Sequence, residues 1–200
     1  MAIPFYISTA ISYTNGPPHI GHAYEVIAAD AIARFKRLDG YDVFFLTGTD
    51  EHGLKVQKKA QELGIDPKKY VDEISKEFIQ LSISLNCSND DFIRTTDERH
   101  VKNVQSIWKI LFDKGDIYLD HYSGWYSITD EAFYNEEELI KTESNSFLSP
   151  NGNPVEWVDE ESYFFKLSKY QNDLLELYEK NEKFILPSSR MNEIKNFVKS

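Results

Sequence analysis

Sulfur, long apolar runs and basic charge are all scarce in this sequence of 200 residues. The single cysteine, Cys87, excludes an intrachain disulfide, and such a residue is most often a small apolar core side chain. No apolar run approaches the roughly 20 residues that cross a bilayer. The first residues also lack the basic and apolar segments of a secretory signal. These absences predict a soluble protein of a reducing compartment, the cytoplasm, with no membrane partner.

The acidic charge is unevenly distributed. Residues 116–161 contain twelve acidic residues and one lysine, which account for the whole formal net charge of −11. An acidic segment repels a phosphate backbone, so composition alone argues against nucleic-acid binding. The hydrophobic content of 41% is enough for a buried core, in one large domain or in a domain with an insertion.

Two short apolar runs rich in β-forming residues, 5–10 and 42–46, flank a stretch of helical periodicity at 19–38. Gly40 is placed to end the helix, and residues 47–48 are expected to end the second strand. A strand, a helix and a strand in this order predict a βαβ unit and a parallel sheet. The apolar face of the helix is predicted to consist of Ile20, Ala23, Ile27, Ala31, Ile32, Phe35 and Leu38.

The rest of the sequence changes character at residue 115. Before it the pattern is helical, and after it aromatic and acidic residues alternate with turn residues. The sequence therefore predicts an α/β domain over 1–115 and a smaller α+β insertion over 116–200. The further predicted elements are helices at 54–64, from the N-cap Asp66 onward, at 97–115, from the cap Ser168 to 180 and at 191–198, with strands at 155–158 and 163–165.

The run Pro17-Pro18-His19-Ile20-Gly21-His22 lies where the first strand passes into the helix. The first turn of a helix has unpaired N–H groups and a partial positive charge, which suit a phosphate. His19 and His22 are three residues apart and face the same side, and Gly21 leaves room for a nucleotide near the backbone. The placement favours phosphate chemistry over two surface or capping histidines. A zinc site is disfavoured because a third ligand is missing nearby.

The tetrapeptide His19-Ile20-Gly21-His22 is identical to the HIGH signature of the class I aminoacyl-tRNA synthetases. Its surroundings resemble the methionyl-tRNA synthetase family, and the resemblance extends over nearly the whole chain. The matching stretches are 10–18, 46–53, 91–96, 115–118, 124–126 and 161–165. The resemblance implies that residues 1–115 are the first half of a Rossmann-like catalytic domain and that 116–200 are its connective-peptide insertion.

The resemblance also implies roles for single residues. His19 and His22 would be catalytic; ATP would be bound by His19, Gly21, His22 and Glu25; methionine would be bound by Ala10, Ile11, Tyr13 and Asp50. His52 would pack the loop behind them. The implied reaction forms methionyl-adenylate from methionine and Mg-ATP, and then transfers methionine to tRNA(Met). Because the carboxylate of methionine is the nucleophile, no general base is needed, and catalysis would consist of positioning and charge stabilisation.

Two features depart from the family. Many members bind zinc in the insertion through two C-x-x-C pairs, but the matching positions here are Ser127, Asp130, Leu148 and Asn151. These four residues cannot replace thiolates on zinc, so the sequence predicts a metal-free insertion stabilised by aromatic packing, which bound zinc would contradict. A lysine-rich loop of the K-x-S-K type is also absent, which predicts a truncated chain with negligible activity of its own.

Two alternatives remain open at this point. A nucleotidyltransferase for small metabolites shares the H-x-G-H pattern, but would not carry the run from Thr47 to Gly53 or the acidic insertion. A binding module would retain weak sites for ATP or methionine without turnover.

Overall fold

The computed structural model describes residues 2–142 and 146–200. The chain divides into two compact units, Met1–Gln105 and Ser106–Ser200. The boundary lies inside a helix, ten residues before the point at which the sequence texture changes. The reason is local: Trp108 and Phe112, on the second half of that helix, pack their rings against Tyr163 of the second unit.

The first unit is built on a parallel sheet. Its elements are β1 (Pro4–Ser8), β2 (Ser12–Tyr13), α1 (Ile20–Leu38), β3 (Asp42–Asp50), α2 (Leu54–Glu62), α3 (Pro67–Ser84), β4 (Asp91–Arg94) and the start of α4 (Glu98–Asp113). All strand pairs are parallel. Leu46 and Thr49 of β3 each have two partners, so β1 and β2 follow one another along one side of β3 and β4 lies on the other. The predicted α/β class and βαβ unit are confirmed.

The end of β3 differs from the prediction. The strand does not stop at Leu46 but continues through Thr47 and Gly48 to Asp50. The glycine marks a close approach of chains, since a Cβ on Gly48 would lie 2.0 Å from the carbonyl oxygen of Ile93. This extension places Asp50 at the carboxyl end of the central strand.

The predicted bounds of α1 are close, but its predicted buried face is wrong. The buried residues are Ala23, Val26, Ala29, Asp30 and Ala33. Of the predicted stripe, Ala23 alone is buried, while residues such as Phe35 and Leu38 are exposed. Small side chains let the helix lie close to the sheet, where Val26, Ala29 and Ala33 pack with Phe45.

Cys87 is half-buried against this same cluster. Burial, followed by the nearby Asp30 carboxylate, raises the pKa of the Cys87 thiol. The residue therefore behaves as the apolar packing group that the sequence predicted.

A second core lies between α2 and α3. It contains Val56, Ala60, Tyr70, Val71, Ile74 and Phe78, with Tyr13, Ile65 and Phe92 packed against it. The predicted cap of α3 is confirmed, because the Asp66 side chain accepts hydrogen bonds from the amides of Lys68 and Lys69.

The described residues of the second unit form a three-stranded and a two-stranded antiparallel sheet and, after α4, two α-helices. Its elements after α4 are β5 (Ile117–Ser127), β6 (Ala132–Tyr134), β7 (Ile140–Lys141), β8 (Phe147–Leu148), β9 (Glu156–Phe165), α5 (Gln171–Lys180) and α6 (Ser188–Lys199). β5 is central, between β6 and β9. β9 is one continuous strand where two were expected, because its acidic middle, 159–162, pairs with β5 and leaves its charges exposed.

The helix expected to begin at Ser168 begins three residues later. Leu167–Tyr170 form a short 3-10 turn, and α5 follows it. The turn is held by the fully buried carboxylate of Asp116, which accepts hydrogen bonds from Lys169 and Tyr170. Within the described ranges, no helix is both long and apolar enough to span a bilayer.

Candidate functional site

The two histidines at the start of α1 form a reciprocal capping pair. His19 Nδ1 accepts a hydrogen bond from the Gly21 amide at 3.1 Å, and His22 Nδ1 accepts one from the His19 amide at 3.1 Å. The rings are stacked with centroids 3.8 Å apart. Because both Nδ1 atoms are acceptors, the proton of each neutral ring is on Nε2. The pair therefore presents two N–H donors at a helix N-terminus.

The environment keeps His22 in its neutral form. Burial, followed by the charge of His19, lowers the pKa of His22, although Glu25 acts in the opposite direction. The ring also meets Phe78 edge to face at 5.0 Å. At neutral pH this imidazole is thus a hydrogen-bond donor rather than a cation.

The structure gives a reason for glycine at position 21 in addition to the predicted room for a nucleotide. A Cβ at this position would lie 2.9 Å from Cε1 of His19, so any side chain would displace the capping ring. Gly21 is therefore required for the imidazole geometry itself.

Glu25 links the predicted ATP-binding residues to the predicted methionine-binding residues. Its Oε1 accepts a hydrogen bond of 2.9 Å from the amide of Ala10, in the loop between β1 and β2. One turn of α1 thus carries both the predicted ATP-side residues and the support of a predicted methionine-side residue. Ile11, the next residue, is exposed.

Tyr13 and Asp50 are brought side by side at the carboxyl end of the sheet. They are register partners in the β2–β3 pair, and the amide and hydroxyl of Thr14 both donate to the Asp50 carbonyl oxygen at 3.0 Å. Gly53, at a φ of +119°, lies against the Tyr13 hydroxyl, and a Cβ there would lie 2.5 Å from that oxygen. Ligands of open α/β sheets bind at this edge.

A small recess lies beside His22. It is lined by Ser12, His22, Val26, Thr47, Gly48, Phe78, Leu81, Ser82 and Phe92. The recess therefore brings the His22 end of α1 next to β2 and β3. All predicted site residues lie in the first unit, on β1–β2, the start of α1 and the end of β3.

The residues behind Asp50 were missed from the sequence. Glu51 is buried, and Arg94, at the end of β4, forms an ion pair with it. His52 contacts the carbonyl oxygen of Thr95 through Nε2 at 3.3 Å, in agreement with its predicted packing role. The only sequence signal for Arg94 was its place in the matched stretch 91–96, which assigned it no role.

In the second unit, a polar cluster includes three of the four positions that match family cysteines, Ser127, Asp130 and Asn151. The Asp130 carboxylate accepts hydrogen bonds from the Ser149 hydroxyl and from the side-chain amides of Asn151 and Asn153, at 3.1 and 2.8 Å for the amides. The Asp130 amide donates to the Ser127 hydroxyl at 3.3 Å. Over 2–142 and 146–200, no three His, Cys, Asp or Glu side chains are grouped as metal ligands.

The predicted aromatic packing is also present around this cluster. Trp125 contacts Phe147 and Trp157 at centroid distances of 4.9 and 5.5 Å, and Phe133 contacts Tyr122 and Tyr126 at 4.6 and 4.7 Å. The second unit thus combines the aromatic contacts that were expected with hydrogen bonds that were not.

A parallel sheet with a histidine pair at the start of the first helix is an arrangement typical of nucleotide-binding α/β domains. The family described as tRNA synthetases class I (M) matches residues 5–151. The chain belongs to this family, and the resemblance drawn from the sequence is confirmed.

Individual relatives are similar over nearly all of the chain. It is 57% identical over 197 residues to methionine–tRNA ligase of Rhizobium meliloti and 56% identical over 196 residues to that of Brucella suis. Each alignment covers 98% of this chain and 38% of the relative. A solved structure of Mycobacterium tuberculosis methionyl-tRNA synthetase in complex with methionyl-adenylate superposes with a TM-score of 0.90 at 49% identity, covering 98% of this chain and 39% of that one.

Proposed function

We propose that this chain is part of a methionine–tRNA ligase, which activates methionine with ATP and transfers it to tRNA(Met). One observation carries the proposal: the capped histidine pair begins α1, and Tyr13 and Asp50 end adjacent parallel strands of the sheet on which α1 packs. In this proposal residues 1–115 belong to the catalytic domain and 116–200 to a zinc-free connective-peptide insertion.

The methionine side consists of Ala10, Ile11, Tyr13 and Asp50. The Asp50 carboxylate binds the α-ammonium group of the substrate by a charge-assisted hydrogen bond. Tyr13, whose hydroxyl lies against Gly53, supplies an apolar ring face that suits a soft thioether side chain, and the 10–11 segment lines the same pocket.

The ATP side consists of His19, Gly21, His22 and Glu25. The Nε2–H groups of the two histidines donate to phosphate oxygens, and Gly21 keeps the approach to the helix N-terminus open. Glu25 is assigned here by its place one turn beyond His22, and its bond to Ala10 couples the ATP side to the methionine side. Mg²⁺ enters as part of the substrate Mg-ATP.

The chemistry then requires little proton transfer. A carboxylate oxygen of methionine forms a bond to the α-phosphorus, the bond to the bridging oxygen breaks, and pyrophosphate leaves with that electron pair. Negative charge spreads over the phosphate oxygens in the transition state, where N–H donors at the helix N-terminus stabilise it. A lowered pKa of His22 suits this role.

The proposal is tested by methionine-dependent ATP–pyrophosphate exchange with protein expressed from the complete reading frame that encodes this chain. Exchange should require methionine and should fall at least about 100-fold in His22→Ala, since removal of one such donor costs that much in other enzymes. The 200-residue chain, assayed in parallel, should show negligible exchange. Exchange supported by another small metabolite and not by methionine would favour the nucleotidyltransferase alternative and contradict the proposal.

A further inference from the structure

A buried ion pair lies directly behind the proposed ammonium-binding residue. The Glu51 side chain is 0% exposed. Arg94 donates two hydrogen bonds to it, from Nε to Oε1 at 2.6 Å and from Nη2 to Oε2 at 2.9 Å. The same carboxylate accepts hydrogen bonds from the hydroxyls of Thr49, Ser75 and Thr96. Arg94 also binds Asp72 on α3.

This network holds the backbone on the far side of Asp50. The Glu51 amide donates to the Thr95 hydroxyl at 2.9 Å, while the Asp50 carbonyl accepts from Thr14. Side chains alternate along a strand, so Thr49 and Glu51 face the network and Asp50 faces the opposite side. The backbone at Asp50 is thus fixed through its neighbours Thr49 and Glu51, and the Asp50 side chain stays at the edge of the sheet.

Stability alone is a weak reason for such a pair. Moving two charges out of water costs several kcal/mol per ion, and apolar replacements of buried ion pairs are often as stable. A network of this kind gives orientation instead, because a planar guanidinium fork and three hydroxyls fix one geometry of the carboxylate.

We infer that Arg94, acting through Glu51, is a positioning residue that fixes Asp50 to receive the α-ammonium group of the amino-acid substrate. The inference rests on the proposed function and deepens it. The inference predicts a selective effect of losing Arg94. Binding of ligands that carry the ammonium group weakens, and the other contacts of the pocket remain intact.

A matched control is present in the same unit. Arg37 binds Asp90 at 2.7 Å, and the Asp90 carboxylate accepts a hydrogen bond from the amide of Phe45, in the middle of β3. The two arginines are similarly shielded, with side-chain exposures of 20% for Arg94 and 30% for Arg37. Both therefore act on β3 through a carboxylate, but at different distances from Asp50.

The test uses protein from the complete reading frame with Arg94→Lys, Arg94→Met and the control Arg37→Met. Inhibition constants are measured in the exchange reaction for methioninol, which keeps the ammonium group, and for 4-(methylthio)butanoate, which lacks it. The Arg94 variants should weaken methioninol about ten-fold or more, as for a lost hydrogen bond to a charged group, and change the second inhibitor less than about two-fold. Arg94→Lys should be the milder, since it keeps the charge without the fork.

Arg37→Met should lower the melting temperature without this selectivity. In an Asp50→Asn background, where the receiving carboxylate is gone, Arg94→Lys should add no further weakening of methioninol, as a double-mutant cycle for one coupled interaction requires.

Equal weakening of both inhibitors, or the same pattern in Arg37→Met, would overturn the inference. If Arg94→Met does not fold, Arg94→Lys and Thr96→Val test the inference instead. For each, the change in the inhibition constant of methioninol is compared with the change for 4-(methylthio)butanoate. Absence of methionine-dependent exchange in the unmodified protein would instead contradict the proposed function, so the two failures are distinguishable.

Discussion

Glu51 in the first unit and Asp130 in the second both tie together segments that are distant in sequence, but by different chemistry. Glu51 is paired with the guanidinium of Arg94, whereas Asp130 accepts from the neutral side chains of Ser149, Asn151 and Asn153. In the charged pair, the Glu51 side chain is fully buried and the Arg94 side chain is 20% exposed. The neutral cluster is partly exposed and organises a loop. The fully buried Glu51 carboxylate is thus compensated by a guanidinium and three hydroxyls, whereas neutral donors satisfy the half-buried Asp130.

The units also differ in how closely their strands approach. β3 meets β4 so closely that a Cβ on Gly48 would overlap a backbone oxygen at 2.0 Å, whereas a Cβ on Gly124 of β5 would lie 3.3 Å from the Phe133 ring. Gly48→Ala should therefore destabilise the first unit by about 3 kcal/mol or more, and Gly124→Ala should cost the second less than about 1 kcal/mol. Urea denaturation of each variant measures both. Similar losses of unfolding free energy in the two variants would show that the two glycines do not differ in this way.

Loss of the neutral cluster should have a smaller and more local effect. Asp130→Ala leaves the fully buried hydroxyl of Ser149 without its carboxylate partner. We expect cleavage of the 148–154 loop by a nonspecific protease to become about ten-fold faster, the factor expected from loss of a hydrogen bond to a charged group. Glu137→Ala, at an exposed position of the same acidic segment, is the control. Unchanged cleavage would show that the aromatic contacts hold the loop without Asp130.

The smallest predicted effect concerns pH. Hydrogen bonding from Ser149 lowers the pKa of Asp130, outweighing burial, and Asn151 and Asn153 act in the same direction as Ser149. A carboxyl whose pKa is lower in the folded state adds stability above its unfolded pKa, about 3.9, and loses that contribution as the pH falls through the lower folded value. The difference in melting temperature between the unmodified chain and Asp130→Asn should therefore be constant above about pH 5 and shrink below about pH 4. A difference that grows on acidification would show that the carboxylate is not the stabilised form.

Much of the first unit could be predicted because its signals are local. The period of α1, the Asp66 cap of α3 and the two histidines on one helical turn follow from neighbouring residues. The buried side of α1 could not be predicted in the same way. Large apolar residues mark one face of the helix, but the sheet accepts the face with Ala29 and Ala33, because only small side chains allow that distance.

In the candidate site, too, local sequence predicts some features and tertiary contacts decide the others. Local sequence predicts the histidine pair, and short runs that match the family indicate Tyr13 and Asp50. The tertiary structure decides that Gly53 lies against the Tyr13 hydroxyl, that Glu25 bonds to Ala10, and that Arg94 reaches Glu51 across 43 residues of sequence.

The sequence by itself thus determined the parallel α/β class and the helix N-terminus with its imidazoles, since each depends on residue type and short spacing. The candidate substrate residues came from the resemblance to the methionyl-tRNA synthetase family. Only the tertiary structure decided which face of α1 is buried, how far β3 extends, and what holds Asp50 and the Asp130 loop in place. Those features arise from contacts between segments that are far apart along the chain, and their energies depend on packing distance and burial, which no local pattern encodes.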